Sequence, residues 1–260
     1  MPTKLLPKNK KLIVANWKMN PENIFEARKI FSLLKKSNFN LKKVVAVICP
    51  PVIFLNELST GYRGKKFIFG SQDVSLDNKK KYTGETGISI LKTSGVRLVI
   101  VGHAERRALG ETNQSVAVKI KNVISAGLTP VLCVGENRRD LDGTYLRFVE
   151  EQLHESLKKV SRKDIEKVIL AYEPIWAIGK GRKAISTHEL HQMTLFIKKI
   201  LSAIYNKKVA MNVPILYGGS IDADNCEEII NKGEVSGLLV GRASLNPYIF
   251  SDILKKVSSV

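Results

Sequence analysis

The feature that most constrains the fold is a series of eight short apolar runs, rich in β-branched residues and spaced about 32 residues apart. Most of them are apolar throughout rather than alternating, as in LIVAN, VVAVIC and RLVIVG. Continuous runs of this kind are typical of strands that are buried on both faces, as in parallel sheets. The runs are Leu12–Trp17, Val44–Cys49, Phe67–Gln72, Arg97–Gly102, Pro130–Gly135, Val168–Tyr172, Pro214–Tyr217 and Gly237–Gly241.

Between these runs lie amphipathic segments whose apolar residues recur close to every 3.6 residues, a pattern that predicts helices. Pro21 is expected in the first turn of the first helix, where its missing N–H is not needed. Ser186 or Thr187, and also Asp222, are expected to begin two later helices because their side chains accept free N–H groups. The segments are Pro21–Lys36, Leu146–Val160, His188–Tyr205, Asp222–Lys232 and Pro247–Val257.

The alternation of strands and helices continues over residues 1–260 without a linker or a change of composition. It predicts one domain of the α/β class, built as a single closed (β/α)8 barrel, the TIM barrel. An open, doubly wound sheet is the alternative. That fold would be expected to carry a dinucleotide fingerprint, and the nearest match, Gly179-Lys180-Gly181, lacks the third glycine.

The chain is strongly basic, because 42 Lys and Arg residues stand against 24 Asp and Glu residues and leave a formal charge of +18. An excess of this size can indicate a nucleic-acid partner. Here the lysines are dispersed in pairs along the whole chain, and no nucleic-acid recognition motif is visible. The sequence therefore favours a lysine-rich solvated surface that attracts small anions, and does not favour a nucleic-acid partner.

Location and metal binding are constrained by the cysteines and histidines. Cys49, Cys133 and Cys226 are scattered and form no C-x-x-C pair, which is typical of reduced thiols in the cytoplasm. His188 and His191 lie three residues apart but have no third ligand nearby, so no metal site is expected. No apolar run reaches the roughly 18 residues of a membrane span, and no apolar stretch that would indicate a secretory signal follows the basic N-terminus.

Reactive side chains follow several of the apolar runs at the point where each strand ends. In a barrel, the carboxyl ends of the strands meet at one face, and the chemistry is found there. The sequence therefore predicts that one site brings together Asn16, Lys18, His103, Glu105 and Glu173.

Glycines follow the seventh and eighth runs, as Gly218-Gly219-Ser220 and Gly241-Arg242. Without a Cβ, these turns allow backbone N–H groups to approach an anion, and a phosphate site in these two loops recurs in this fold. The segment Pro174–Ala184 contains Trp176 and two glycines directly after Glu173, which is typical of a lid that closes over a site.

Eight motifs, taken in order, resemble the triosephosphate isomerase family over essentially the whole chain. The resemblance implies interconversion of dihydroxyacetone phosphate and D-glyceraldehyde 3-phosphate through an enediolate, in glycolysis and gluconeogenesis, without a cofactor or a metal. The motifs are ANWKMN (Ala15–Asn20), SQDVS (Ser71–Ser75), YTGETG (Tyr82–Gly87), VGHAERR (Val101–Arg107), CVGE (Cys133–Glu136), YEPIWAIG (Tyr172–Gly179), YGGSI (Tyr217–Ile221) and LVGRASL (Leu239–Leu245).

The resemblance also implies a role for each residue of the predicted site. Glu173 matches the family's base, and His103 matches the group that hydrogen-bonds both substrate oxygens, with a helix starting near Glu105 to favour its neutral form. Lys18 matches the cation that stabilises the enediolate, with Asn16 as a polar contact beside it, and Glu105 matches the carboxylate that orients Lys18.

The phosphate, the lid and the assembly follow from the same resemblance. Phosphate contacts are expected from the N–H groups of Gly179, Ser220, Gly241 and Arg242. The lid is expected to include Pro174, Trp176 and Ala184, and to be latched by Tyr217 and Ser220. A loop with Thr83 matches one that docks into a neighbouring subunit, which implies a homodimer.

The chain departs from the family's usual pattern at three places: after His103, within the lid segment and after Gly241. Ala104 stands where Ser is usual and Lys180 where Thr is usual, while Arg182 and Lys183 change the far hinge of the lid. Arg242 stands where a second Gly is common, and a positive φ there would disturb one phosphate contact. These departures leave one alternative open, a phosphate-binding barrel with impaired isomerase activity.

Overall fold

The protein is described by a computed structural model that covers residues 5–38, 40–179 and 184–260. Within these residues, eight parallel strands pair in chain order, and β1 pairs with β8 to close the barrel. The predicted (β/α)8 barrel is confirmed, and each strand matches its predicted run to within one residue. The strands are β1 Lys11–Asn16, β2 Val44–Cys49, β3 Phe67–Ser71, β4 Val96–Val101, β5 Thr129–Val134, β6 Ile169–Tyr172, β7 Ile215–Tyr217 and β8 Gly237–Val240.

Helices fill the connections between the strands. The five segments with helical periodicity all form helices, and shorter helices occupy other connections. The α-helices of the described residues are α1 Ile24–Lys36, α2 Val52–Thr60, α3 Ile88–Thr93, α4 Ala104–Ala108, α5 Asn113–Ser125, α6 Thr144–Leu157, α7 Thr187–Ile204, α8 Lys207–Met211, α9 Cys226–Lys232 and α10 Pro247–Ser259. Short 3₁₀ turns add Ile165–Lys167, Ile175–Ala177 and Arg242–Leu245.

Helix starts were predicted less well than helix bodies. Ser186 caps α7 as expected, in a reciprocal capping box with Glu189. The expectation for Pro21 is wrong, because the Asn23 side chain caps α1 and the helix begins at Ile24. The expectation for Asp222 is also wrong. Its carboxylate accepts the N–H groups of Asp224 and Asn225 in a turn, and α9 begins only after that turn, at Cys226.

The barrel has apolar residues on both sides of its wall. Alternate strand residues point into the barrel, as Val14, Ile100 and Leu216 do, or outward against the helices, as Ile13 and Val99 do. This is why the strand sequences are continuously apolar rather than alternating. At the amino end of the strands, the buried side chains of Leu5 and Leu6 pack against the interior cluster and cover that end of the barrel.

No helix in the described part of the chain is both long enough and apolar enough to cross a membrane.

Candidate active site

The carboxyl ends of the strands surround a cavity of about 860 Å³. Most of the predicted site residues line it, although they come from five different strand ends. The predicted residues in its wall are Asn16, Lys18, His103, Glu173, Gly179, Ser220, Gly241 and Arg242, joined by Gly218 and Gly219. Since only the closed order of the strands brings these loops to one rim, the cavity is a product of the barrel.

Glu173 follows β6 directly and is only 2% exposed. Its Oε1 atom lies 3.3 Å from Nε2 of His103, and its Oε2 accepts the backbone N–H of Ala104 at 3.3 Å. A Cβ at Gly218 would overlap the Glu173 side chain, so the glycine provides the space that this carboxylate occupies. The thiol of Cys133 is also beside it, and burial together with the Glu173 charge raises the pKa of Cys133, which keeps that group a neutral thiol.

The ring of His103 has a defined orientation and tautomer. His103 is the N-cap residue of α4, and its Nδ1 accepts the backbone N–H of Glu105 at 3.2 Å. Because an accepting nitrogen carries no proton, the proton of the neutral ring is on Nε2, the atom that faces Glu173. The start of α4 therefore orients the ring so that Nε2 faces Glu173.

Lys18 is held in a strained conformation, with a φ of 55° in the left-handed region. Its N–H donates to Oδ1 of Asn16 at 3.1 Å, and its carbonyl accepts from Nε2 of Gln72 at 2.8 Å. The Nζ atom is 2.6 Å from Oε1 of Glu105. Gln72 was not singled out from the sequence, although it too is a polar residue that directly follows a buried strand.

The turns after β6, β7 and β8, in which the sequence predicts phosphate contacts, also line the cavity. Gly179 has a φ of 122°, which favours glycine. Arg242 begins a 3₁₀ turn and is not among the residues with positive φ, so the doubt raised by this departure is removed. The N–H and the hydroxyl of Ser220 both donate to the carbonyl of Ala177 in the predicted lid segment, at 3.2 and 2.8 Å.

The lid segment begins at buried Pro174 and continues into the 3₁₀ turn Ile175–Ala177. The indole of Trp176 donates to Oε1 of Glu136 at 3.0 Å. Beyond the turn, the positions Lys180, Gly181, Arg182 and Lys183 lie outside the described residues.

On the far side of the lid, the Tyr217 hydroxyl accepts the N–H of Ile185 at 3.3 Å, so its partner is the residue after Ala184 rather than Ala184 itself. Burial raises the pKa of Tyr217 to about 12, so this hydroxyl stays protonated in neutral solution.

Glu136 was quoted within CVGE but given no role, although it follows β5 as the other site residues follow their strands. It is buried and accepts three different donors, the Tyr172 hydroxyl at 2.8 Å, Trp176 and Nε of Arg139 at 3.2 Å.

Thr83, in contrast, is exposed in the loop between β3 and α3 and does not line the cavity. Among the described residues, no group of three or more His, Cys, Asp or Glu side chains is placed to hold a metal ion.

Comparison with known proteins agrees with this geometry. A family model described as triosephosphate isomerase matches residues 11–257. The chain belongs to the triosephosphate isomerase family. Like its family, it is an aldose–ketose isomerase that interconverts dihydroxyacetone phosphate and glyceraldehyde 3-phosphate, a reaction of glycolysis. Nothing in these matches favours the alternative of impaired activity.

Individual triosephosphate isomerases are similar along almost the whole chain. The enzyme of Rhodococcus jostii (strain RHA1) is 38% identical over 253 residues, which cover 94% of this chain and 95% of the relative. That of Nocardia farcinica (strain IFM 10152) is 40% identical over 244 residues, covering 91% and 92%. That of Dictyoglomus thermophilum is 35% identical over 248 residues, covering 95% and 99%.

Proposed function

We propose that Glu173 is the base of the isomerisation, that His103 is its hydrogen-bond donor and that Lys18 is its stabilising cation. The observation that carries the proposal is the 3.3 Å distance between Glu173 Oε1 and His103 Nε2, inside the cavity that Lys18 also lines. A substrate bound in this cavity, beside both groups, would have its carbon atoms against the carboxylate and its oxygen atoms against the imidazole.

The chemistry follows from these positions. The carboxylate of Glu173 takes a proton from C1 of dihydroxyacetone phosphate, and the electron pair of the broken C–H bond forms the enediolate. The Nε2–H of His103 donates to the substrate oxygens, and the Lys18 ammonium stabilises the negative charge on them. Return of the proton from Glu173 to C2, together with transfer of the hydroxyl proton from O1 to O2, restores a carbonyl at C1 and completes glyceraldehyde 3-phosphate. Asn16 and Glu105 hold Lys18 in place. The side chain of Asn16 accepts the backbone N–H of Lys18, and the carboxylate of Glu105 accepts the Lys18 ammonium group.

The phosphate is proposed to bind to the N–H groups of Gly179, Ser220, Gly241 and Arg242, which all line the cavity. The Ser220 N–H donates to the carbonyl of Ala177 at 3.2 Å. Phosphate binding therefore requires this N–H to exchange one oxygen acceptor for another. The exchange would release the start of the lid as the phosphate arrives, and closure would shield the enediolate from water.

The roles of the site residues are tested by running the reaction in D₂O. A carboxylate that takes up a proton exchanges it with solvent, so wild-type protein is expected to place deuterium on C2 of part of the glyceraldehyde 3-phosphate formed. Transfer of hydrogen directly between the two carbons would leave the product unlabelled and would overturn the role of Glu173. A structure with inorganic phosphate bound within about 3 Å of the Gly179, Ser220 and Gly241 nitrogens is the matching test of the phosphate site.

We also propose that the chain forms a homodimer through the loop that carries Thr83. In its favour, Tyr82 beside Thr83 is 53% exposed, and Met19, next to Lys18, is 91% exposed. These large apolar side chains, one in the loop after β1 and one in the loop after β3, would lose exposed area if a second chain packed against them. Light scattering during gel filtration should give about 58 kDa rather than the 29.0 kDa of one chain, and Thr83→Arg should shift the mass towards one chain.

The remaining proposals are that residues 1–260 form one domain and that the protein is cytoplasmic. The first is supported by the family match over residues 11–257. The second is supported by the three cysteines, which are buried free thiols. A single cooperative melting transition and recovery of activity in the cytoplasmic fraction of cells are the expected results.

A further inference from the structure

Arg139 lies in the loop between β5 and α6, away from the cavity wall, yet it contacts several residues of the lid and its supports. Its Nε donates to Oε1 of Glu136 at 3.2 Å, and one of its terminal nitrogens, Nη2, donates to the Tyr172 hydroxyl at 3.2 Å. Nη1 lies 2.8 Å from Oε1 of Glu189. The plane of the guanidinium also lies over the Trp176 ring, 5.4 Å from its centre.

These contacts reach both sides of the segment that follows the base. On the near side, Trp176 is three residues after Glu173 and is held both by Arg139 and, through its indole N–H, by Glu136. The backbone is held there as well, because the N–H of Ile175 donates to the carbonyl of Glu136 at 2.9 Å. On the far side, Glu189 lies in the first turn of α7.

Glu189 connects Arg139 to the end of the lid. Its Oε2 accepts the hydroxyl of Ser186 at 2.6 Å and the Ser186 N–H at 3.2 Å, while its other oxygen faces Arg139. The hydrogen bonds from Ser186 and the charge of Arg139 lower the pKa of Glu189, so its carboxylate is charged in neutral solution. The guanidinium of Arg139 thus connects Glu189, at the start of α7, to Glu136, which accepts the indole N–H of Trp176.

We propose that Arg139 is a positioning residue for the isomerisation, which fixes both ends of the lid segment relative to Glu136 and thereby fixes Glu173. A bidentate or forked cation suits this position, since Arg presents several donors in fixed directions whereas Lys presents a single point of charge. Trp176, stacked under that cation, gains a cation–π contact in addition to its hydrogen bond. The inference rests on the proposed role of Glu173 as the base.

The consequence is a specific kinetic signature. Because Arg139 does not line the cavity, its loss removes no contact to the substrate in the ground state. What changes is how well Glu173 and the lid are placed when the proton moves. Arg139→Met, which keeps the length of the side chain without its charge, is therefore expected to lower kcat by about tenfold while KM changes by less than about threefold.

The test compares variants with the wild type, using a coupled assay for kcat and KM and ¹⁹F NMR of protein labelled with 5-fluorotryptophan. The chain has two tryptophans, Trp17 and Trp176, so Trp176→Phe assigns the two resonances. Arg139→Met should move or broaden the Trp176 resonance and leave that of Trp17 in place. Arg139→Lys should recover part of kcat, and Arg138→Met, at the exposed neighbouring arginine, should behave as wild type.

Glu189→Gln tests the same ion pair from its other side, in case Arg139→Met does not fold. Glutamine keeps an oxygen for the Ser186 cap but removes the ion pair with Arg139, so a smaller fall of kcat, about threefold, is expected. The inference is overturned if Arg139→Met keeps kcat within twofold of wild type, if the Trp176 resonance is unmoved, or if Arg138→Met has the same effect. If instead Glu173→Gln retains its activity, the role of the base fails, and that result is read separately in the same assay.

Discussion

The two ends of the barrel differ in the charged groups that contact the backbone: a carboxylate accepts a backbone N–H at the carboxyl end, and lysines donate to backbone carbonyls at the amino end. At the carboxyl end, the buried carboxylate of Glu173 accepts the backbone N–H of Ala104, and glycine-containing turns line the cavity. At the amino end, lysine ammonium groups donate to backbone carbonyls: Lys198 to Ala210 at 3.0 Å and to Val213, and Lys11 to Val235 at 3.0 Å.

The difference follows from the direction of the chain in a (β/α)8 barrel. Each helix starts at the carboxyl end of the strand before it, so free helix N–H groups face one rim and free helix carbonyls face the other. Backbone donors therefore face anions at the carboxyl rim, and backbone acceptors face lysines at the amino rim, although burial still lowers the pKa of Lys198 and of Lys11. Lys66, which donates to the carbonyls of Lys35 in the last turn of α1 and of Ser37 just after it, is a further example. Part of the excess of lysine is thus used to cap helix ends.

Glu173→Gln is expected to show the largest effect at the carboxyl end. Glutamine has the same size but cannot take the proton, so kcat should fall by roughly 10²–10⁴-fold with little change in KM. The coupled assay measures this, and thermal melting by circular dichroism should show that the fold is not destabilised. A loss smaller than tenfold would remove this residue from the reaction.

Leu6→Ala tests whether the amino end serves stability alone. Leu6 is 6% exposed and packs against the barrel interior. Its truncation should lower the free energy of unfolding by about 2–4 kcal/mol, measured by urea denaturation, without changing kcat per folded molecule. Leu141→Ala, at a fully exposed leucine, is the matched control and should be neutral. A fall in the kcat of folded Leu6→Ala would mean that the two ends are coupled.

Lys198 predicts a pH dependence at the amino end. Burial lowers the pKa of Lys198 from 10.5 to about 8. Between these values the unfolded chain binds a proton that the folded chain does not, so raising the pH from about 8 to 10.5 stabilises the fold. Relative to Lys198→Met, the wild type should gain about 1–2 kcal/mol over this range, after allowance for partial solvent exposure. Lys199→Met, at an exposed neighbour, should show no such trend; a constant difference for Lys198→Met would contradict the prediction.

Ala104→Ser is expected to have the smallest effect. The backbone N–H of Ala104 already donates to Glu173 Oε2. A serine hydroxyl at this position would therefore add a second donor to the carboxylate rather than supply the only one. Restoring it should raise kcat by up to about threefold. Ala108→Ser, at an exposed position of the same helix, is the control. A change above tenfold would show that the hydroxyl matters more than the backbone contact.

The strands and most of the helices could be predicted from the sequence because burial imposes a visible pattern on each of them. The placement of Asn16, Lys18, His103 and Glu173 at one rim also follows from the sequence, since parallel strands end on the same side. Helix starts such as Asn23 were missed, because several nearby residues could cap and only the path of the chain selects one.

By itself, the sequence determined the strand–helix alternation, the closed barrel and the set of polar residues at its carboxyl rim, since these depend on local hydrophobic pattern and chain direction. Only the tertiary structure decided the left-handed backbone of Lys18, the contact of Ser220 with Ala177, and the reach of Arg139 to Glu189. Each of these depends on distances between loops that are far apart in the chain. Those distances are set by how the eight strands pair around the barrel, which no single segment encodes.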